Sequence, residues 1–236
     1  MLHRSITALY LIACFTATAQ TTGRENYMSS GSEFNFSAPV LDVNGNDAGA
    51  VVRFAPWVNA QQTLNIDQSE HFGLFIGLSI GNNGFIWDDP NSNFRYKFRT
   101  YNLGLPVGIK LGNMNGNLLF AGYSPEWAFN YKEKVFANEE KIDKLVVWFS
   151  DRNETLCHAV FLGFQSHYGT TIKFKYYVTN FHNTDFTVTN NGVESKPYEG
   201  FNANVVSVSL GFALFKKYEV YGAGSRPTNT TASVRR

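Results

Sequence analysis

The sequence predicts an all-β fold: an eight-stranded, antiparallel, up-and-down transmembrane β-barrel with one short helix in an outer loop. Three observations predict it. Apolar residues alternate with small or polar ones over long stretches, tight and long links between those stretches take turns, and the composition is poor in charge and rich in aromatic residues. The alternation is clearest in Tyr101, Leu103, Leu105, Val107, Ile109 and Leu111, which are separated by Asn102, Gly104, Pro106, Gly108 and Lys110. A period of two is a strand. Gly112 to Asn117 supplies a turn, and alternation resumes through Leu119, Ala121, Tyr123, Trp127, Phe129 and Tyr131. The intervening face of glycine, asparagine, lysine and glutamate is too small and polar for the inside of an ordinary sandwich. The apolar face is therefore expected to meet lipid and the polar face to line a narrow lumen.

Of 236 residues, 44% are hydrophobic, 16% aromatic and only 17% charged, below the roughly 25% usual for soluble domains. A net charge of +1 gives no electrostatic reason to expect nucleic acid as a partner. Cys14 and Cys157 make neither a disulfide framework nor a zinc set.

Residues 1–19 read as an export signal: His3 and Arg4, an apolar run from Ile6 to Phe15, then Ala17-Thr18-Ala19. Leu11-Ile12-Ala13-Cys14 offers a rival reading as a lipidation site. Residues 20–32 are expected to form a polar periplasmic segment, 33–215 the barrel, and 216–236 a periplasmic tail rich in Gly, Ser, Thr and Arg. Within the barrel the strands fall near 33–41, 50–65, 71–87, 95–112, 117–132, 155–167, 170–183 and 202–215. The links after the second, fourth and sixth are tight and the others long or polar, as in outer-membrane barrels with short periplasmic turns, so both chain ends belong in the periplasm. Pro39, Pro56, Pro106 and Pro125 fall inside these strands and must sit at bulges or rims.

In the loop after the fifth strand, Asn138 is placed to cap a helix carrying Ile142, Leu145, Val146 and Phe149 at helical spacing, either packed on the rim as a lid or open to a partner. Gly211 and Phe215 end the last strand with the glycine and final aromatic expected of a signal for the insertion machinery. Period two points Arg53, Lys110, Glu126, Gln165, His167, Lys173 and Lys175 inward. Buried charges need partners, so an ion network is expected to plug the lumen, with Glu126 bound to Arg53 or a lysine. Ser166, His158, His167 and His182 are the residues from which a hydrolase would be built. Ser166 and His167 are adjacent and point oppositely on a strand, and His158 lies eight residues from Ser166, so no triad is expected. The turn Asp42–Asp47 lacks the distal acid of a calcium loop, no glycine-rich run precedes a helix, and no cofactor is implied.

The segments Arg99–Lys110, Phe129–Lys134 and Lys173–Phe181 resemble the small outer-membrane β-barrel proteins common in Bacteroidota, of the OmpA- or PorT-like kind. The similarity spans most of the mature chain through structural motifs. It implies a barrel in the outer membrane and brings no catalytic residues. The expected role is non-enzymatic, as a structural or accessory subunit of a larger outer-membrane complex whose partners are membrane lipid, the insertion machinery and other outer-membrane proteins. Alternatives are a small-solute pore, an adhesion or ligand-binding barrel, and a soluble lipocalin-like carrier with the two faces exchanged.

Overall fold

The structure, a computed structural model, describes residues 25–47, 50–190 and 192–215. The expected signal, the lipidation alternative at Cys14 and the tail 216–236 lie outside these residues. Every regular element described is a strand: β1 (Glu25–Val43), β2 (Asn46–Asp47), β3 (Ala50–Val51), β4 (Arg53–Ala55), β5 (Ala60–Asp67), β6 (Phe72–Asp88), β7 (Phe94–Gly104), β8 (Val107–Gly112), β9 (Leu118–Ala137), β10 (Glu140–Trp148), β11 (Leu156–Gln165), β12 (Thr170–Tyr177), β13 (Val188–Asn190), β14 (Val193–Ser195) and β15 (Phe201–Phe212).

All pairings are antiparallel. They run from β1 to β5, β6, the successive β7 and β8, β9, β11, β12 and β15. β15 returns to β1 over Ser32↔Phe212 to Val43↔Phe201, so the ladder rejoins its own beginning.

The two faces separate as the alternation requires. Along β7, β8 and the break between them, Leu103, Leu105, Val107, Ile109 and Leu111 are exposed, while Asn102 and Lys110 are buried. On β12, Ile172, Phe174 and Tyr176 are exposed, and Thr171, Lys173 and Tyr177 are buried. A polar inside with an apolar outside inverts the order of a soluble domain.

The enclosed side is narrow, and glycines make room for its rings. Phe75 is paired with Gly108, Phe161 with Gly122 and Phe120 with Gly163. A Cβ on those glycines would lie 2.7, 2.6 and 2.2 Å from the terminal carbon of the opposite ring. Any side chain there would displace a phenylalanine from the interior.

Several boundaries differ from the sequence reading. The first strand starts at Glu25, because 25–32 alternates too: Met28 is exposed, and buried Ser29 bonds Thr63 and the Leu214 carbonyl. The second is broken between β4 and β5, where Pro56 and Val58 (φ 62°) loop outward and leave Trp57 77% exposed. The fourth is split at Leu105-Pro106, which faces Pro125: Leu105 N–H donates to the Pro125 carbonyl at 3.0 Å, and the Pro106 carbonyl accepts from Gly77 at 2.8 Å. The seventh ends at Tyr177. Pro39 falls between the stretches of β1 that pair with β4 and β2, where no ladder donor is required.

The predicted helix is absent: Ile142 to Trp148 belong to β10, and Phe149 follows it. Asn138 and Glu139, with φ of 49° and 69°, form the two-residue turn that joins β9 to β10. The β-branched and aromatic run Val146-Val147-Trp148 pairs with Lys132, Tyr131 and Asn130 of β9. The ladder outweighs the helical spacing because the extended β9 has an open edge there. A second hairpin, β13–β14, occupies the last long link.

Candidate functional site

The lumen is filled in layers, each supplied by inward positions of different strands. In the middle, Glu126 of β9 is 2% exposed and pairs with Lys175 of β12. Its carboxylate also accepts from Tyr177 Oη at 2.9 Å and Asn102 Nδ2 at 3.0 Å. Lys173 pairs with Glu33 at 2.6 Å. Between these pairs lies a cavity of about 40 Å³, lined by Glu33, Glu126, Lys173, Lys175, Ser207 and Ser209 among others. That volume admits a few water molecules and nothing larger.

Lower down, fully buried Lys110 forms an ion pair with Asp67 at 2.5 Å and donates to Asn65 Oδ1 and Tyr27 Oη, each at 3.1 Å. The end of the chain seals this level. After β15, Ala213 takes φ 59° and turns Leu214 and Phe215 into the lumen. The Phe215 ring sits 4.8 Å from both Phe75 and Phe120, its N–H donates to Gln165 Oε1 at 3.0 Å, and its carbonyl accepts from Tyr27 at 3.1 Å. The described ends thus meet at the rim that carries the tight links 68–71, 113–117 and 166–169.

The upper lumen is closed by rings. Phe85, Phe98, Tyr131, Phe181, His182, Tyr198 and Phe201 are all buried, with His182 stacked on Tyr198 at 4.2 Å and edge-on to Phe98 at 4.6 Å. Burial pushes the pKa of His182 down to about 3 against a smaller opposing pull from the Arg152 backbone, so the ring is neutral.

The expected inward set is therefore brought together in part. Lys110, Glu126, Gln165, Lys173 and Lys175 line the lumen, and the partner of Glu126 is a lysine, as one of the two expected pairings had it. Arg53 is separate: it reaches Asn82 Oδ1 beside the break in the second strand. His167 is exposed in the turn before β12, where its N–H bonds Asn117 Oδ1 at 2.7 Å, because the strand ends two residues earlier than expected.

Phe215 is corrected as well. It is not the final residue of the last strand; β15 stops at Phe212, which is 55% exposed, and Gly211 pairs with Glu33 inside the ladder. Of the expected loop surface, Ile142, Val146 and Phe149 are exposed, while Leu145 turns inward against the upper aromatic cluster. Alternation divides residues that a helix would have gathered on one side.

No hydrogen bond joins Ser166 to His158, His167 or His182 among the described residues. Ser166 Oγ is buried without a partner, and His158 Nδ1 is held by Tyr123 Oη. The polar turn at Asp42 is closed by the Gly45 N–H bonding Asp42 Oδ1 at 2.8 Å. Sequence reasoning did not single out Glu33, Asp67 or His182 as lumen residues. Glu33 stood at an assumed strand end and Asp67 in an assumed tight link, while His182, assigned to the seventh strand, lies in the link that follows β12.

No family model matches this chain, and no curated protein matches it. Solved structures of small outer-membrane proteins do. Ail, the attachment invasion locus protein of Yersinia pestis, solved with the heparin analogue sucrose octasulfate, is 10% identical and aligns over 80% of this chain and 97% of its own, with a TM-score of 0.38. CarO of Acinetobacter baumannii is 11% identical over 78% of this chain and 96% of its own, at 0.35. Neisserial surface protein A is 6% identical over 81% and 99%, at 0.32.

Proposed function

We propose that this chain is a closed eight-stranded transmembrane barrel of the bacterial outer membrane, non-enzymatic and non-conducting. In this reading it serves as a structural or accessory component whose outer strands present a surface to other molecules. The observation that carries it is the inverted wall. Rows of exposed leucine, isoleucine, valine and phenylalanine surround an interior holding three buried ion pairs. In water such a continuous apolar surface would be a large liability, whereas in a bilayer it is the expected solvent contact. Around most of the wall each strand is paired on both sides, as hydrocarbon requires, with β4 paired to β1 alone.

The same wall opposes the soluble carrier, which needs its apolar rows inside. A pore is opposed by the two apolar closures, at Phe215 below and at His182 above a cavity of about 40 Å³. With the tight links at the periplasmic rim, β9, β10 and β13–β14 rise on the outer side.

The test is fractionation of the exported protein, conductance in planar bilayers, and identification of companions after mild detergent extraction. Recovery in the outer-membrane fraction, no conductance and a stoichiometric companion are expected. Recovery as a soluble protein would overturn the membrane reading, and steady conductance would overturn the sealed lumen. A lone monomer would overturn the subunit role.

A further inference from the structure

On the outward face of β7, β9 and β10, cations stand opposite cations. Lys97 pairs in register with Lys134, and Lys134 with Lys144; one row below, Arg99 pairs with Lys132. Directly opposed like charges destabilise a sheet, so their accumulation here needs a cause outside the ladder. No carboxylate supplies it. Asp88 is bound to Arg95 at 2.5 Å, and Glu133 faces the other side, accepting from Tyr131 and Tyr198. Among the described residues Lys97, Arg99, Lys132, Lys134 and Lys144 form no ion pair, and Arg99 Nε is shielded without a hydrogen-bond partner.

The position of these rows is as informative as their charge. Two residues below Arg99 on the same face is Tyr101, and two residues below Val146 is Trp148, 63% exposed; Phe129, from the bulge in β9, stacks on both at 6.4 and 5.9 Å. Outward aromatic residues of this kind mark the level of the membrane interface. Arg99 and Lys132 lie about 7 Å along the strand above that row, and Lys97, Lys134 and Lys144 about 13 Å above it, on the lateral wall and not at the loop tips. That is the depth of lipid headgroups.

We infer that this wall is a binding site for the phosphorylated saccharide headgroup of an outer-leaflet glycolipid, with Arg99 and Lys132 nearest the acyl boundary and Lys97, Lys134 and Lys144 above them. Acyl chains would then run down past Trp127 and Phe149. The inference rests on the transmembrane reading above. Arg99 offers directed donors to phosphate oxygens, and the lysines supply point charges. Phosphate bound here removes the like-charge repulsion that the ladder otherwise carries.

The experiment uses the full mature chain in nanodiscs of phosphatidylcholine doped with phosphorylated lipid A or with its dephosphorylated form, and reads retained lipid by native mass spectrometry. Heat-dependent gel migration serves as an independent readout of insertion and folding. The wild type is expected to retain phosphorylated lipid A and not the dephosphorylated form. Lys97→Gln/Lys134→Gln/Lys144→Gln, all exterior changes, should fold as the wild type does and lose about a hundredfold in retention, near fivefold per charge. Arg99→Gln/Lys132→Gln should lose about twenty-five-fold. Equal retention by the variants, or equal retention of both lipids, overturns the site. So does capture of soluble heparin in place of lipid, which would make the patch a receptor for an extracellular polyanion. If the wild type does not insert at all, the membrane reading fails with it; if it inserts and retains no lipid A, only this inference fails.

Discussion

Replacing Glu126 by alanine tests the sealed interior most directly. The carboxylate is 2% exposed and holds Lys175, Tyr177 and Asn102 together. Glu126→Ala leaves the Lys175 ammonium in the lumen without its counter-charge, a change that typically costs about 3–5 kcal/mol. The Tyr177 hydroxyl loses its acceptor at the same time, for about 1 kcal/mol more. Against a total stability on the order of 5–15 kcal/mol, this is a large fraction. Glu126→Ala/Lys175→Met should recover most of the loss, because it removes the stranded charge together with its partner. The assay is urea unfolding in lipid vesicles followed by tryptophan fluorescence, with bilayer conductance measured in parallel. Conductance is expected to stay at baseline in both variants, since Phe215 below and the His182 cluster above are untouched. A Glu126→Ala loss under about 1 kcal/mol, or a double variant no more stable than the single, would refute the ion-pair account. A new conductance would refute the seal.

Three further outcomes follow from the same geometry. Phe215→Ala should destabilise by about 3–5 kcal/mol in the same urea assay, because the ring fills the space between Phe75 and Phe120. His182 titrates at about 3 when folded, through burial, and near 6.5 when unfolded, so the unfolded chain takes up the proton first. The stability it supports is complete above pH 6.5 and falls by about 1.4 kcal/mol per unit as pH drops from there toward 3. His182→Phe should flatten that slope, as read by urea midpoints at a series of pH values. A cysteine pair Lys132→Cys/Val146→Cys should oxidise readily, since the two positions are opposite in the β9–β10 ladder; a helix over 142–149 would give no such bridge.

Local sequence determined the two faces of the wall. In Tyr101–Leu111 and Ile172–Tyr177 the alternation alone separates outward-facing from inward-facing residues, because strand geometry leaves each side chain only one of two directions. It also located the tight links, where glycine, asparagine and histidine interrupt the apolar rows. Tertiary structure decided everything that depends on a neighbour. Val146 to Trp148 became a strand because an open stretch of β9 lay beside it, and helical spacing could not reveal that edge. Phe215 turned inward because the lower lumen, narrowed by rings packed over glycines, still had room for one more. Glu126 took Lys175 and left Arg53 to Asn82 because the register between paired strands, which no single strand encodes, sets which inward residues share a level. The opposed cations on β7, β9 and β10 look unremarkable one strand at a time; only register sets them side by side.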